Sequence, residues 1–294
     1  MSVAPLTNGL SRKGRTTSAH PRGSSWWSTA LWWCASVALF AGIWEGCWWL
    51  GWANPMLLPP PHLFLQDLLY QGRFFDRTTR VGNPSDIAVV TTVISVVVAS
   101  TLRVVVGLCI GFAISLGVGL LIRYSRLFGN LTTPTISALA PVSPIAWLPI
   151  AMLLFGIGNA PAVFMVVVAL FFIMTLATVS LIDAVPTSYL DAARMLGATR
   201  NQLFLYVILP AILPGLFLVL RMNLFAAWMA VLIAEAVGVG SGLGLVVMLA
   251  KNTFNAQLAF FTMAIVGLVG FVLDFGLRQL QRRALYWLPE NTTG

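Results

Sequence analysis

Two lysines, two histidines and three cysteines are all that the 294 residues hold of these types, and charged side chains of every kind amount to 9%. Each shortage excludes a class of function. A phosphate-cradling loop needs G-x-x-x-x-G-K-S/T, and neither Lys13 nor Lys251 stands in such a setting, so nucleotide hydrolysis is not expected of this chain. His20 and His62 both fall outside the apolar segments, which leaves an intramembrane hydrolase without a metal cluster or a paired nucleophile and base. Cys34, Cys47 and Cys109 sit in or beside apolar runs with no Cys-x-x-Cys spacing, arguing against both a disulfide framework and a zinc site. No catalytic residue, cofactor site or metal site is expected.

What is abundant is apolar. With 59% hydrophobic residues and a mean hydropathy of +0.89, the chain has too little polar surface to coat a soluble globule, so an all-α integral membrane protein in a lipid bilayer is expected. The net charge of +8 does not point to nucleic acid, because the basic residues are scattered beside apolar segments rather than gathered in one patch. Arg12, Lys13 and Arg15 precede the first apolar run, but no small-x-small site closes that run and Glu45 precedes Gly46-Cys47, so neither a cleaved signal nor a lipobox is read. That run is expected to remain as a membrane helix.

Residues 1–28 are rich in Ser, Thr, Gly and Pro and carry no acid, the composition of a disordered tail. A first span is expected from Thr29 to Leu50, flanked by Trp26 and Trp27 at one end and by Trp48, Trp49 and Trp52 at the other. Asn54 to Asp86, with Pro59-Pro60-Pro61 and balanced charges, suits an external loop with a surface helix. Ile87 to Ile122 exceeds one crossing, as either a single long tilted helix or an interfacial helix leading into a span. Leu131 to Phe155 carries Pro134, Pro141, Pro144 and Pro149 and must be kinked or broken, which favours a place lining a cavity. Pro161–Ile182, Ala211–Ala234 and Leu258–Leu277 complete six spans, and the glycines at 238, 240, 242 and 244 suggest a turn or re-entrant segment. With both termini inside, eleven basic residues lie on the inner side and four on the outer, in keeping with the positive-inside rule.

Between the fourth and fifth spans runs a polar interruption, Pro186 to Pro210. It reads as two short helices joined at Gly197, with Ser188 and Asp191 capping the first and Thr199 and Gln202 the second. Tyr189, Ala192, Ala193 and Leu196 share one face. On pattern alone the segment is either an amphipathic loop lying on its own helices or a docking surface.

Ionisable residues within the apolar segments are few. Glu45 falls near the outer end of the first span, at a depth similar to Arg103 in the second, with Arg221 midway along the fifth, Glu235 at its outer end and Asp274 near the inner end of the sixth. Because a lone arginine in lipid costs at least about 2.5 kcal/mol, Arg103 and Arg221 should face protein or water, either in structural salt bridges or as a cationic lining for an anionic solute. Pro144-x-x-Trp147-x-Pro149 either kinks its helix or positions a ring and freed carbonyls around a solute.

Asp191-Ala192-Ala193, Gly197 and Val207-Ile208-Leu209-Pro210 match, with Asp for Glu and Val for Ile, the E-A-A-x3-G-x9-I-x-L-P loop of bacterial ABC importer permeases. With Trp44-Glu45, Leu57 to Pro61, Thr101-Leu102-Arg103-Val104, Gly107, Ala234-Glu235 and Ser241-Gly242-Leu243-Gly244, the order resembles the nitrate/sulfonate/taurine/bicarbonate permeases over residues 40–288. The resemblance implies a type I importer permease fold at 29–288, with a cytoplasmic coupling helix within 186–210 and a short tail at 289–294. It also implies a bacterial inner-membrane location, a second permease copy, two cytosolic ATPase subunits that bind ATP and magnesium, and an external solute-binding protein. The coupling contact falls to Asp191, Ala192, Ala193, Gly197, Leu209 and Pro210, and the pathway to Arg103, Pro144, Trp147, Arg221 and Glu235. The implied solute is a small oxyanion, with thiamine-type precursors as the alternative within the group. An ion-driven carrier is the alternative outside it, and the scarcity of mid-membrane acids counts against that reading.

Overall fold

The computed structural model describes residues 26–51, 58–60, 62, 67–76 and 85–287. Of the expected tails at 1–28 and 289–294, residues 1–25 and 289–294 lie outside the described residues, as do Arg77, Arg80 and Pro61, while 26–28 are helical rather than part of a tail. The chain divides into two units, 1–52 and 53–294. No strand occurs among the described residues.

Among the described residues the first unit holds one helix, α1 (Trp26–Trp49), which begins upstream of Thr29 and takes Trp26 and Trp27 into the helix. At 1.5 Å per residue it is about 36 Å long, enough for a hydrocarbon core of about 30 Å.

In the second unit α2 (Leu68–Gly72) runs directly into a short 3-10 turn, Arg73–Phe75. Next comes α3 (Asp86–Tyr124), an unbroken helix, so the choice between one tilted helix and two pieces falls to the former. Ser85 starts it by accepting from the Ala88 amide. At about 58 Å it is far longer than the hydrocarbon core, so it must tilt or project beyond it. Ser125 ends α3 in an extended conformation and caps α4 (Arg126–Leu139), accepting from the Phe128 amide.

The proline-rich segment is broken, as its composition demanded. After α4 a 3-10 turn at Pro144–Trp147 leads into α5 (Leu148–Phe155), and the two halves meet at 103°. Pro141 cannot donate to the preceding turn and its ring would crowd the carbonyl four residues back, whereas Pro149 falls in the first turn of α5, where its missing N–H costs nothing. Gly156 at φ +72° stops α5.

α6 (Asn159–Asp183) packs along α3. The contact is a stripe of small residues on α3 at four-residue spacing: Gly107, Gly111, Ser115 and Gly119. A Cβ on Gly107 would run into Val166, one on Gly111 would lie 3.2 Å from Leu170, and one on Gly119 would lie 2.7 Å from Thr178. Ser115 Oγ donates to the Gly111 carbonyl at 2.6 Å and approaches the Phe171 carbonyl at 3.4 Å. Backbone approach of this kind is how helices associate where lipid supplies no hydrophobic drive. Arg123 and Asp183 pair across the far ends of the same two helices.

The remainder is α7 (Thr187–Met195), α8 (Arg200–Leu203), α9 (Leu209–Ala234), α10 (Leu243–Asn252) and α11 (Ala256–Ala284). Val104, Val166, Leu170, Met174, Leu216, Leu224, Val231, Leu243 and Leu258 form the main core among α3, α6, α9, α10 and α11. Asn255 caps α11 through the Leu258 amide, and Gln71 ties α2 to that helix start through Gln257 and Asn255. Among the described residues four helical stretches are long and apolar enough to cross a membrane: α3, α6, the continuous run 200–239 and α11. The bent α4–α5 pair makes a fifth if taken as one span. α1 is not among these stretches, but it is long enough to span and as apolar as α3, so the sixth expected crossing falls to it by length and composition.

Replacing Gly107 with Leu should overpack the α3–α6 seam and lower stability by about 1–3 kcal/mol. Gly117→Ala, which faces open space, should be neutral. Thermal unfolding in detergent would show this as a lowered midpoint for the first variant only; equal midpoints would mean the seam is not close-packed.

Candidate functional site

The polar loop is built from three local hydrogen-bond devices. α7 enters at Pro186, whose φ of −58° already suits a helix, and no side chain caps it. The expected cap by Ser188 is therefore corrected: Ser188 lies inside the first turn of α7, where its hydroxyl cannot occupy the capping position. Asp191 pairs instead with Arg194 at 3.0 Å. At the other end Gly197 takes φ +78°, with its amide donating to the Arg194 carbonyl and the Ala198 amide to the Ala193 carbonyl. This is a Schellman turn, and the left-handed residue it needs is why glycine follows Ala193 at a distance of four. A capping box then starts α8: Thr199 Oγ1 accepts from the Gln202 amide, and Gln202 Oε1 accepts from the Thr199 amide at 2.8 Å.

α8 continues into a wider π turn, Phe204–Ile208, and so into α9 at Leu209 and Pro210. The wide turn makes room for Pro210, which has no N–H to return to the previous turn. Several apolar side chains at this loop are not laid against the protein. Leu190 packs inward, while Leu196 is 88% exposed, Met195 84%, and Tyr189, Leu205 and Tyr206 are exposed as well. Of the two readings of the loop, the one in which Tyr189 and Leu196 lie on their own helices is not what the fold presents.

At the opposite end of α9 a second cluster forms. Arg103 Nη1 donates to Glu235 Oε1 at 2.6 Å, Nε donates to Asn159 Oδ1 at 2.9 Å, and Nη2 donates to Ser241 Oγ at 2.9 Å. Arg103 is 7% exposed and Glu235 fully buried. The other oxygen of Glu235 accepts from the Gly244 amide at 3.0 Å, and Ser100 Oγ accepts from the Leu243 amide at 3.1 Å. Glu235 opens a π turn ending at Val239, after which Gly240 (φ +74°) and Gly242 (φ +115°) fold the chain back onto the carboxylate. A Cβ on Gly242 would strike that carboxylate, and one on Gly244 would strike the Leu232 carbonyl oxygen. The sequence pieces Thr101 to Val104, Ala234-Glu235 and Ser241 to Gly244 thus meet in one place, tied further by the Gly158 amide donating to the Gly238 carbonyl at 3.1 Å. Asn159, Ser100 and the α3 glycine stripe went unnoticed as partners in the sequence; only the four-residue spacing of small side chains could have signalled the stripe.

Pro144 and Trp147 sit at the 103° bend, where the Trp147 ring packs beside Phe172 with centroids 5.9 Å apart. The Trp147 indole nitrogen is buried without a hydrogen-bond partner among the described residues. Arg221 donates through Nε to Asp274 Oδ1 at 2.6 Å, and Arg278 donates through Nε to Asp274 Oδ2 at 2.8 Å. Among the described residues no group of three or more His, Cys, Asp or Glu side chains is placed to hold a metal ion.

Residues 107–286 match the family described as "binding-protein-dependent transport system inner membrane component". A protein of Methanocaldococcus jannaschii named as an ABC transporter permease is 31% identical over 80% of this chain and 84% of its own length. The taurine transport system permease protein TauC of Escherichia coli is 28% identical over 87% of this chain and 89% of its own. The bicarbonate transport system permease protein CmpB of Synechococcus elongatus is 29% identical over 66% and 69%. In structure, the MetNI methionine ABC transporter in an inward-facing conformation superposes with a TM-score of 0.55 at 21% identity, covering 65% of this chain and 95% of that one. An amino acid ABC transporter gives 0.54 at 18%, covering 76% and 98%.

Removing one partner of the Arg103–Glu235 pair leaves a buried charge uncompensated, at a cost of about 3–5 kcal/mol. Arg103→Met alone should therefore unfold well below the wild type, and the double change with Glu235→Gln should recover part of the loss. A double variant no more stable than the single one would show that the pair is not a coupled unit.

Proposed function

The chain belongs to the binding-protein-dependent transport system inner membrane component family, and from that premise we propose that it forms the translocation pathway of an ATP-driven importer for a small oxyanion. It is a multi-pass ABC importer permease with the all-α fold of that class. The finer reading is a subunit that binds no nucleotide itself, paired with a second copy and served by two cytosolic ATPases that hold ATP and magnesium. An external binding protein delivers the solute. Relatives named for taurine, aliphatic sulfonates and bicarbonate support the oxyanion class. Six crossings with both termini on the cytoplasmic side complete this reading.

The observation that carries the proposal is the exposed polar loop. A helix closed by a Schellman turn and followed at once by a capped turn is rigid, yet it turns Tyr189, Met195 and Leu196 to the outside. Such side chains are suited to a groove on a partner, and α7 with Asp191, Ala192, Ala193 and Gly197 is the coupling helix in this proposal. Leu209 and Pro210 join it to α9 through the π turn.

The residues assigned to the pathway take different parts. Arg103 and Glu235 satisfy each other and hold the glycine segment at the end of α9 away from the coupling helix. Pro144 and Trp147 shape the bend between α4 and α5, and Arg221 presents positive charge to the solute.

Gly197→Leu cannot take φ +78° without strain, so it should distort the turn between α7 and α8. Co-purification of the partner ATPase from membranes should be lost or uncoupled in this variant and intact in the wild type. Absence of any ATPase with the wild-type chain, together with normal transport by the variant, would remove the importer reading and favour an ion-driven carrier.

A further inference from the structure

The two arginines within the apolar helices differ in how fully they are satisfied. Arg103 uses all three of its nitrogens on protein partners and meets one carboxylate. Arg221 uses only Nε, and no hydrogen-bond partner for its Nη1 or Nη2 is found among the described residues. Its acid, Asp274, is shared with Arg278, so two guanidinium cations face one buried carboxylate and one positive charge is left in excess.

That excess sits beside apolar surface. Arg221 is 31% exposed, and Leu218, Met222 and Phe225 around it on α9, with Phe271 and Phe275 on α11, are exposed too. Hydrocarbon does not hold an unbalanced charge, so this side of α9 and α11 must adjoin water or an anion. A guanidinium with its terminal donors free offers the planar fork that receives two oxygens of one anion.

We propose that Arg221 and Arg278 form a binding site for a small monovalent oxyanion, with Asp274 as a resident carboxylate that competes for the same donors. Its place in transport rests on the permease reading; its anion chemistry does not. Asp274 organises both guanidinium groups and at the same time keeps affinity low, which a passage site requires if the solute is to leave. A phosphate headgroup from lipid shares this chemistry, so the test must separate the two sources.

The full-length chain is placed in nanodiscs of phosphatidylcholine alone and titrated with sodium nitrate or sodium methanesulfonate at constant ionic strength, with anion-dependent thermal protection as the readout. Saturable protection is expected for the wild type. Arg221→Gln should weaken the apparent affinity about tenfold or more, and Asp274→Asn should strengthen it about tenfold, since a charged hydrogen bond is lost in one and a competitor in the other. Arg221→Lys should fall between wild type and Arg221→Gln. Should Asp274→Asn fail to fold, Arg278→Gln, nearer the helix end, should weaken affinity in the same sense as Arg221→Gln.

A cluster that merely braces α9 against α11 predicts lower melting points for the Arg221 and Asp274 variants with no change in anion dependence, and that result overturns the site. Protection appearing only when phosphatidylglycerol is added overturns its assignment to a free solute. If the ATPase co-purifies but the affinities do not move in opposite directions, the site falls alone. If no ATPase associates and they still do, the permease reading falls and the site stands.

Discussion

Burial of the Arg103–Glu235 pair is the constraint on which this end of the structure depends. Neither charge can be left alone in a medium of low dielectric constant, so each must find its partner across helices that are far apart in sequence. Meeting that demand requires the chain after α9 to double back within reach of the carboxylate. The π turn at Glu235, the positive φ angles at Gly240 and Gly242, and the missing side chain at Gly244 are the backbone's way of doing so. Ser100, Asn159 and Ser241 then occupy the hydrogen-bonding positions that remain. One ion pair thereby fixes α3, the start of α6 and the α9–α10 connection together.

The other end of α9 is organised by local rather than long-range bonding. The Schellman turn, the capping box and the π turn each close within a few residues, and no buried charge is involved. This difference explains what could be read in the sequence. Gly197 and the Thr199–Gln202 box are legible because the bonding partner is three to five residues away and residue type alone encodes it. Ser188 misled because it fits the same capping pattern, while Pro186 two residues earlier sets the helix entry.

The partners of Arg103 and Arg221 were not legible, since pairing across separations of 132 and 53 residues depends on how helices are arranged and not on spacing. The break at Pro141 and Pro144 could be foreseen because proline removes a donor wherever it stands, but its 103° angle could not. The stripe from Gly107 to Gly119 was hidden for a different reason: small residues barely alter hydropathy, and their value lies in what they let a neighbour do. Of the six expected spans, four or five appear among the described residues as long apolar helices, and α1 is long enough to supply another.

The α3–α6 seam also sets how this protein can deform. Where side chains interdigitate, helices can slip by changing rotamers; where backbones touch, rolling one helix over the other forces their axes apart at every contact point. Gly107, Gly111 and Gly119 place such points over about three turns of α3 against α6 and fix both helices as one stiff beam. Bending must then concentrate where no such seam exists, at the corner between α4 and α5 and at the glycine turn beyond α9. Mechanically the α3–α6 pair is a rigid strut, and the compliance lies in the joints beside it.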